Sequence, residues 1–215
     1  MSAAQRAQLP LRLVRAGGLS RAEITDELVL DAFERSAPEF GELLYERLGD
    51  VIGATLYRML GHQGPDHDDL VQMAFEQVVT TLVRGRYARA CSLRSWAAAI
   101  TSRIALNALR SKRTERRYVL PAGDTVPDEH AHRGPDPERE VGAQRRLQAL
   151  REHLGKMSDK LAETLVLHDA LGHDLAEIAV LTGVTVAAAQ SRLVRGRKEL
   201  ARRLAEASVL NEVSS

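Results

Sequence analysis

The stretch Asp174–Leu204, DLAEIAVLTGVTVAAAQSRLVRGRKELARRL, decides the fold. Asp174 followed three residues later by Glu177 is a capping-box pattern with Asp in place of Ser or Thr. Leu175 and Ile178 carry an apolar face, and Ala179 is small, as required where two helices approach closely. Gly183 suits the left-handed backbone of a tight turn, and Thr185 can cap a second helix. Leu175, Ile178, Val184, Ala189, Leu193 and Leu200 are spaced to pack a small three-helix core. Helix, turn and basic helix in this order form a helix-turn-helix, whose second helix enters the DNA major groove. Ala187, Ala188, Gln190, Ser191 and Arg192 stand exposed near the start of that helix, with Arg195 one turn on. Gln190 can pair bidentately with adenine, and arginine with guanine. Arg197, Lys198, Arg202 and Arg203 suit phosphates, which anchor without specifying. The plainer alternative is a solvated terminal helix whose charges complement its own dipole. The turn glycine, the caps and the core spacing together favour DNA.

Working outward, charge is strongly segregated although the net formal charge is only +1. Arg84–Arg117 holds ten basic residues against Glu115 alone, a local charge of +9. Thr182–Arg203 holds six against Glu199, a local charge of +5. Between Tyr118 and Glu140 six acids face two arginines, a local charge of −4. Such separation creates local fields that attract phosphates. Two basic modules on one chain imply contact with DNA in two places. Cys91 is the only cysteine, so an intrachain disulfide is excluded and a reducing compartment is the plain reading. No run of about 18 apolar residues predicts a membrane span, and the N-terminus lacks an apolar signal core. A cytoplasmic location is the expectation.

Aromatic residues are scarce, alanine and leucine are plentiful, and strand-like alternation is absent, so the chain reads as all-α. Leu28 to Leu60 carries Leu43, Leu44, Leu48, Ile52, Leu56 and Leu60 at helical spacing, until Gly61-His62-Gln63-Gly64-Pro65 breaks it. Asp66 can cap the next helix, with Asp68 and Asp69 in its first turn. Leu70, Val71, Ala74, Phe75, Val78, Val79 and Leu82 form its apolar face, opposite Asp68, Asp69, Gln72, Glu76 and Gln77. A third helix spans about Ser92–Arg113, with Leu93, Trp96, Ala97, Ile100, Ile104 and Ala108 inward and Arg103, Asn107 and Arg110 on another face. Trp96 could stack on a base, but its spacing with Leu93 and Ile100 favours the core. Tyr118 to Pro137 loses periodicity and reads as an acidic Pro/Gly-rich linker. Helices resume at Glu138–Leu154 and Ser158–Leu171, and Gly172 ends the second of them. The final helix is expected to begin after Thr185 and run to about Ala205.

Asp68-Asp69-Leu70-Val71-Gln72, then Ser95-Trp96 with Ile100, then Asn107-Ala108-Leu109-Arg110 and a basic run, resembles region 2 of bacterial sigma factors. Leu175-Ala176-Glu177-Ile178-Ala179 through Gln190-Ser191-Arg192-Leu193-Val194-Arg195-Gly196-Arg197 is similar to their region 4. Domain order, linker and length resemble the extracytoplasmic-function (ECF) class of the sigma-70 family over about residues 36–205. The resemblance implies two helical domains joined by a flexible acidic linker. It divides the chain into an unassigned extension (1–35), region 2 (36–117), a linker (118–137), region 4 (138–205) and a tail (206–215). It implies that Asp68, Asp69, Gln72 and Glu76 bind the clamp of the RNA polymerase largest subunit. Arg103, Asn107, Arg110, Lys112 and Arg113 would then melt and capture the minus-10 element. Thr185, Ala188, Gln190, Ser191, Arg192, Arg195, Arg197 and Lys198 would meet the minus-35 duplex, with region 4 also on the polymerase flap. An anti-sigma factor is the regulator it implies, and it implies no cofactor, no metal and no small-molecule substrate. The chain departs from the family at Ala187-Ala188-Ala189-Gln190, where Gly-Thr-Val-Lys is frequent. It departs again at Arg103 and Asn107, where Asn and Asp are frequent, and at Met157-Ser158 in place of Leu-Pro.

Two other classes compete. A stand-alone helix-turn-helix regulator would bind duplex DNA unaided, typically as a dimer on a palindrome. His67-Asp68 resembles the His-Asp pair of metal-dependent phosphohydrolases, but a helix start beside three acids explains it. His62, His130 and His132 lack metal-ligand spacing. A non-enzymatic protein is expected. The linker carboxylates Asp124, Asp128 and Glu129 admit a further expectation, nucleic-acid mimicry in the polymerase channel, against the plainer solvated tether.

Overall fold

The computed structural model describes residues 22–61, 65–118 and 137–213. Every regular element among them is helical. Helix α1 (Asp26–Glu34) starts at Thr25, whose hydroxyl accepts from the Leu28 amide at 3.2 Å, and buries Val29, Leu30 and Ala32. The apolar run to Leu60 is not one helix. Ser36 takes a left-handed backbone, φ 55°, and the Ala37 amide closes back on the Ala32 carbonyl at 2.9 Å. The chain restarts as α2 (Phe40–Leu60) and stops at Gly61, φ 82°. The left-handed corner at Ser36 carries no glycine to announce it, which is why spacing alone passes over it.

Helix α3 (His67–Val83) buries Ala74, Phe75, Val78 and Leu82. Asp66 occupies its N-cap position but makes no cap hydrogen bond there, contrary to expectation. Its ψ of 4° departs from the extended backbone that aims a capping oxygen at the first amides. Helix α4 (Leu93–Tyr118) is capped by Ser92, which accepts from the Ser95 amide at 3.0 Å. It runs five residues past the expected end at Arg113. Tyr87 lies across its start, with rings of Tyr87 and Trp96 4.8 Å apart. The Tyr87 hydroxyl donates to the Cys91 carbonyl, and burial pushes its pKa up to about 12. Trp96 is therefore a packed, half-buried residue.

Asp26 locks the first lobe together. One carboxylate oxygen accepts from Arg47 Nε at 2.7 Å and the other from the Leu93 amide at 2.7 Å. So part of residues 1–35 packs within the first lobe: Ile24, Val29, Leu30 and Ala32 join its core.

The second lobe contains α5 (Pro137–Leu154), α6 (Asp159–Leu165), a π turn (Val166–Ala170), α7 (Leu175–Thr182) and α8 (Val186–Val213). The expected helix 158–171 thus contains a wider turn before Gly172, φ 78°. The Asp174–Glu177 capping box forms as expected. Gly183 is left-handed, φ 65°, and α7 and α8 meet at a bend of 101°. Thr185 Oγ1 accepts from the Ala188 amide at 3.2 Å. Ile178, Ala189 and Leu193 are buried, and Leu175, Val184 and Leu200 pack half-buried around the cores. Helix α8 continues past Ala205 to Val213.

Gly196 lets α8 cross α6 closely: a Cβ there would sit 3.2 Å from the Leu161 carbonyl oxygen. Gly196→Val should therefore destabilise the chain by about 1–3 kcal/mol through overpacking. The check is the thermal midpoint of the full chain; an unchanged midpoint would show that the crossing is loose.

Candidate nucleic-acid and protein interfaces

Three exposed faces carry the residues of interest. The first is acidic. Asp68, Asp69, Gln72 and Glu76 all lie exposed on α3, opposite its buried stripe. The Gln72 amide donates to Glu76 at 2.9 Å and stiffens that row. Met73, 50% exposed, stands among them. An acidic, exposed helix face with one apolar residue suits a basic protein partner; it repels DNA.

The second face belongs to α4. Arg103 and Asn107 are exposed and Arg110 is half-buried, one turn apart in sequence. Arg110 donates to the Asn107 side-chain oxygen at 3.1 Å, so the two polar heads form one unit. Both arginines reach the second lobe: Arg103 pairs with Glu163 and donates to the Leu181 carbonyl at 3.3 Å, and Arg110 pairs with Asp159 at 3.0 Å. Lys112 and Arg113 continue α4 within its helical span, but their side chains lie outside the described residues, as do Asp124, Asp128 and Glu129 of the linker.

The third face is the outer side of α8. Its core stripe is Ala189, Leu193 and Gly196, all buried. From the 3.6-residue period, the positions farthest from that stripe between Val186 and Lys198 are Ala187, Ser191, Val194, Arg195 and Lys198, all exposed. Gln190 is exposed on the shoulder, Ala188 and Arg192 are half-buried, and Thr185 serves as the cap. Arg195 Nε donates to the Ser191 carbonyl at 3.2 Å, which lays its guanidinium along this face. Arg197 turns the other way: its Nε donates to Asp169 at 2.9 Å, beside His168. The hydrogen bond from Arg197 holds the Asp169 carboxyl below its usual range. Val194 was not singled out by charge or spacing. Its 60% exposure beside two cations marks it, and an apolar side chain on a groove-facing helix can meet a thymine methyl.

Among the described residues no single helix is long and apolar enough to cross a membrane. Two helical lobes, one ending in a helix-turn-helix and one built on a basic helix beside an acidic face, fit a two-part DNA-binding protein. Comparison with known proteins agrees with that class. The family model described as sigma-70 region 2 matches residues 44–115, and that described as sigma-70, region 4 matches residues 147–200. Among curated relatives, the ECF RNA polymerase sigma factor SigE of Mycolicibacterium smegmatis is 29% identical over 189 residues, covering 86% of this chain and 70% of that protein. The RNA polymerase sigma factor CarQ of Myxococcus xanthus is 28% identical over 181 residues, covering 82% and 96%. The RNA polymerase sigma factor NccH of Alcaligenes xylosoxydans xylosoxydans is 29% identical over 185 residues, covering 82% and 95%. The chain belongs to the sigma-70 family as an ECF RNA polymerase sigma factor, a non-enzymatic protein that directs promoter recognition in transcription initiation. Its partners are core RNA polymerase and promoter DNA.

Proposed function

We propose that the three faces divide the work of initiation. The α3 row Asp68, Asp69, Gln72 and Glu76 docks on the clamp of the polymerase largest subunit. The α4 face Arg103, Asn107 and Arg110, continued by Lys112 and Arg113, separates and holds the minus-10 strand. The outer face of α8 reads the minus-35 duplex, and the same lobe rests on the polymerase flap. The carrying observation is the placement of two basic helices on separate lobes, with the acidic face kept apart on α3. Flipping and unstacking bases costs a few kcal/mol each, so strand capture needs its own surface, distinct from the duplex reader. Within α8, Ser191, Arg195 and Lys198 take the central positions, Gln190 and Arg192 the shoulders, and Arg197 supports the lobe through Asp169. An anti-sigma factor as negative regulator and a cytoplasmic location belong to the same reading; their support is the family relationship.

Arg195→Ala tests the α8 assignment. Losing a direct base contact should cost about 1–3 kcal/mol. The holoenzyme should then lose upstream DNase protection at low concentration, yet regain normal strand opening at saturation. Unchanged upstream protection would remove Arg195 from the interface.

A further inference from the structure

Helix α1 fastens the approach to α4 at two points. Asp26 and Glu34 are the first and last residues of α1, about 12 Å apart along its axis. At one end the Asp26 carboxylate bridges Arg47 of α2 and the Leu93 amide, the first of α4, at 2.7 Å each. Such an amide has no partner within its own helix, and a carboxylate is favoured at a helix N-terminus. The Asp26 side chain is only 17% exposed, so water competes little for the bridge. Arg94, the next residue, donates to the Arg47 carbonyl at 2.8 Å and to both Asp50 carboxylate oxygens at 2.7 and 3.0 Å. The first turn of α4 is thus tied to α1 and α2 together.

At the other end of α1, Glu34 pairs with Arg89. Arg89 takes a left-handed backbone, φ 56°, a region that residues other than glycine rarely adopt. Residues 86–92, between α3 and α4, form no regular structure. Their α3 side closes on its own helix, where the Gly85 and Arg86 amides donate to the Leu82 and Thr81 carbonyls at 2.9 and 3.0 Å. Their α4 side leans on α1 instead. The Glu34 pair is exposed and contributes less than the Asp26 bridge.

We propose that α1 is a brace for strand opening: Asp26, assisted by Glu34, is a positioning residue that fixes the entry and tilt of α4, and with them the aim of its arginine face at the minus-10 strand. This rests on the α4 assignment above. Arg103, Asn107 and Arg110 follow Leu93 by ten to seventeen residues, about 15–25 Å along the helix. Over that lever a tilt of about 10° at Leu93 carries the face about 3–4 Å, and a misplacement of about 1 Å can already cost about 100-fold.

The test uses reconstituted holoenzyme carrying the wild-type chain, Asp26→Ala, or the milder Asp26→Asn/Glu34→Gln, which keeps both side chains near their native size. Promoter is saturated until the upstream DNase footprint is complete, and open complexes are then counted by permanganate reactivity. At full upstream protection, Asp26→Ala should give at least tenfold fewer open complexes and the double variant at least threefold fewer. Each variant removes negative charge, which by itself favours DNA, so a loss cannot come from net charge. Amide exchange of the free chain, read by NMR, should quicken at Leu93 and Arg94 at least tenfold more than at Leu48, Ile52 and Leu56 in α2. An anchor that only stabilised the lobe would quicken both sets alike, and its opening defect would vanish once the footprint is full. Either of those results, or folded variants with open complexes within twofold of wild type, would overturn the proposal. If Asp26→Ala does not fold, the double variant decides. Where Arg103→Ala/Arg110→Ala is defective and the Asp26 variants are not, the brace alone falls. If that arginine variant opens promoters normally, the α4 assignment fails, and the claim that α1 aims its face falls with it.

Discussion

Asp68→Arg combined with Asp69→Arg should expel the protein from the holoenzyme and silence the promoters it serves, while the chain stays folded. Both carboxylates are exposed and lie off the buried stripe of α3. Inside the chain they act mainly on the helix dipole, worth about 0.3–1 kcal/mol each at the first turn. At a desolvated interface, losing one partner of a charge pair costs about 2–5 kcal/mol. Reversal adds repulsion to that loss, so affinity for core polymerase should drop by well over 100-fold for the double variant. The interface therefore outweighs the intrinsic effect, and thermal stability should change little. Fluorescence anisotropy against core enzyme measures the first quantity and thermal denaturation the second. A folded variant with wild-type core affinity would move the docking surface away from α3.

The second large effect is expected at α4. Arg103→Ala/Arg110→Ala should leave the holoenzyme able to protect the upstream duplex but unable to hold the strands apart. Charge-assisted hydrogen bonds are worth about 1.5–3 kcal/mol each, and base unstacking costs a similar amount. Losing two should reduce open complexes on the order of 100-fold. Permanganate reactivity of unpaired thymines, read beside a DNase footprint, separates the two steps. A normal permanganate pattern would exclude these arginines from melting.

The helix-turn-helix was legible because its signals are local. Asp174 and Glu177 are three residues apart, Gly183 marks the turn by its backbone, and Thr185 caps the next helix within three residues. The inward stripe of α4 and the acidic row of α3 were legible for the same reason: each is a periodicity within one helix. What escaped sequence reading is non-local. Arg58 meets Ala170 across 112 residues and Arg151 meets Met59 across 92, and no pattern in either helix foretells the partner. Asp26 joins Arg47 and Leu93 in the same way, so the unassigned N-terminal stretch hid a structural anchor. Arg197 illustrates the limit within one helix. Its charge suggested phosphate, yet Asp169, 28 residues earlier, holds it against its own lobe. The π turn left no compositional trace, since one extra residue per turn changes register without changing residue type.

On the proposed division of work, one chain mounted on the polymerase reads a paired and an unpaired element with different lobes. Transcription by reconstituted holoenzyme from a library randomised upstream of the start site, followed by sequencing of the productive templates, tests it most directly. Two separated conserved blocks are expected, with Arg195→Ala relaxing the upstream block and leaving the downstream one intact. A single block, or relaxation of both together, would contradict it.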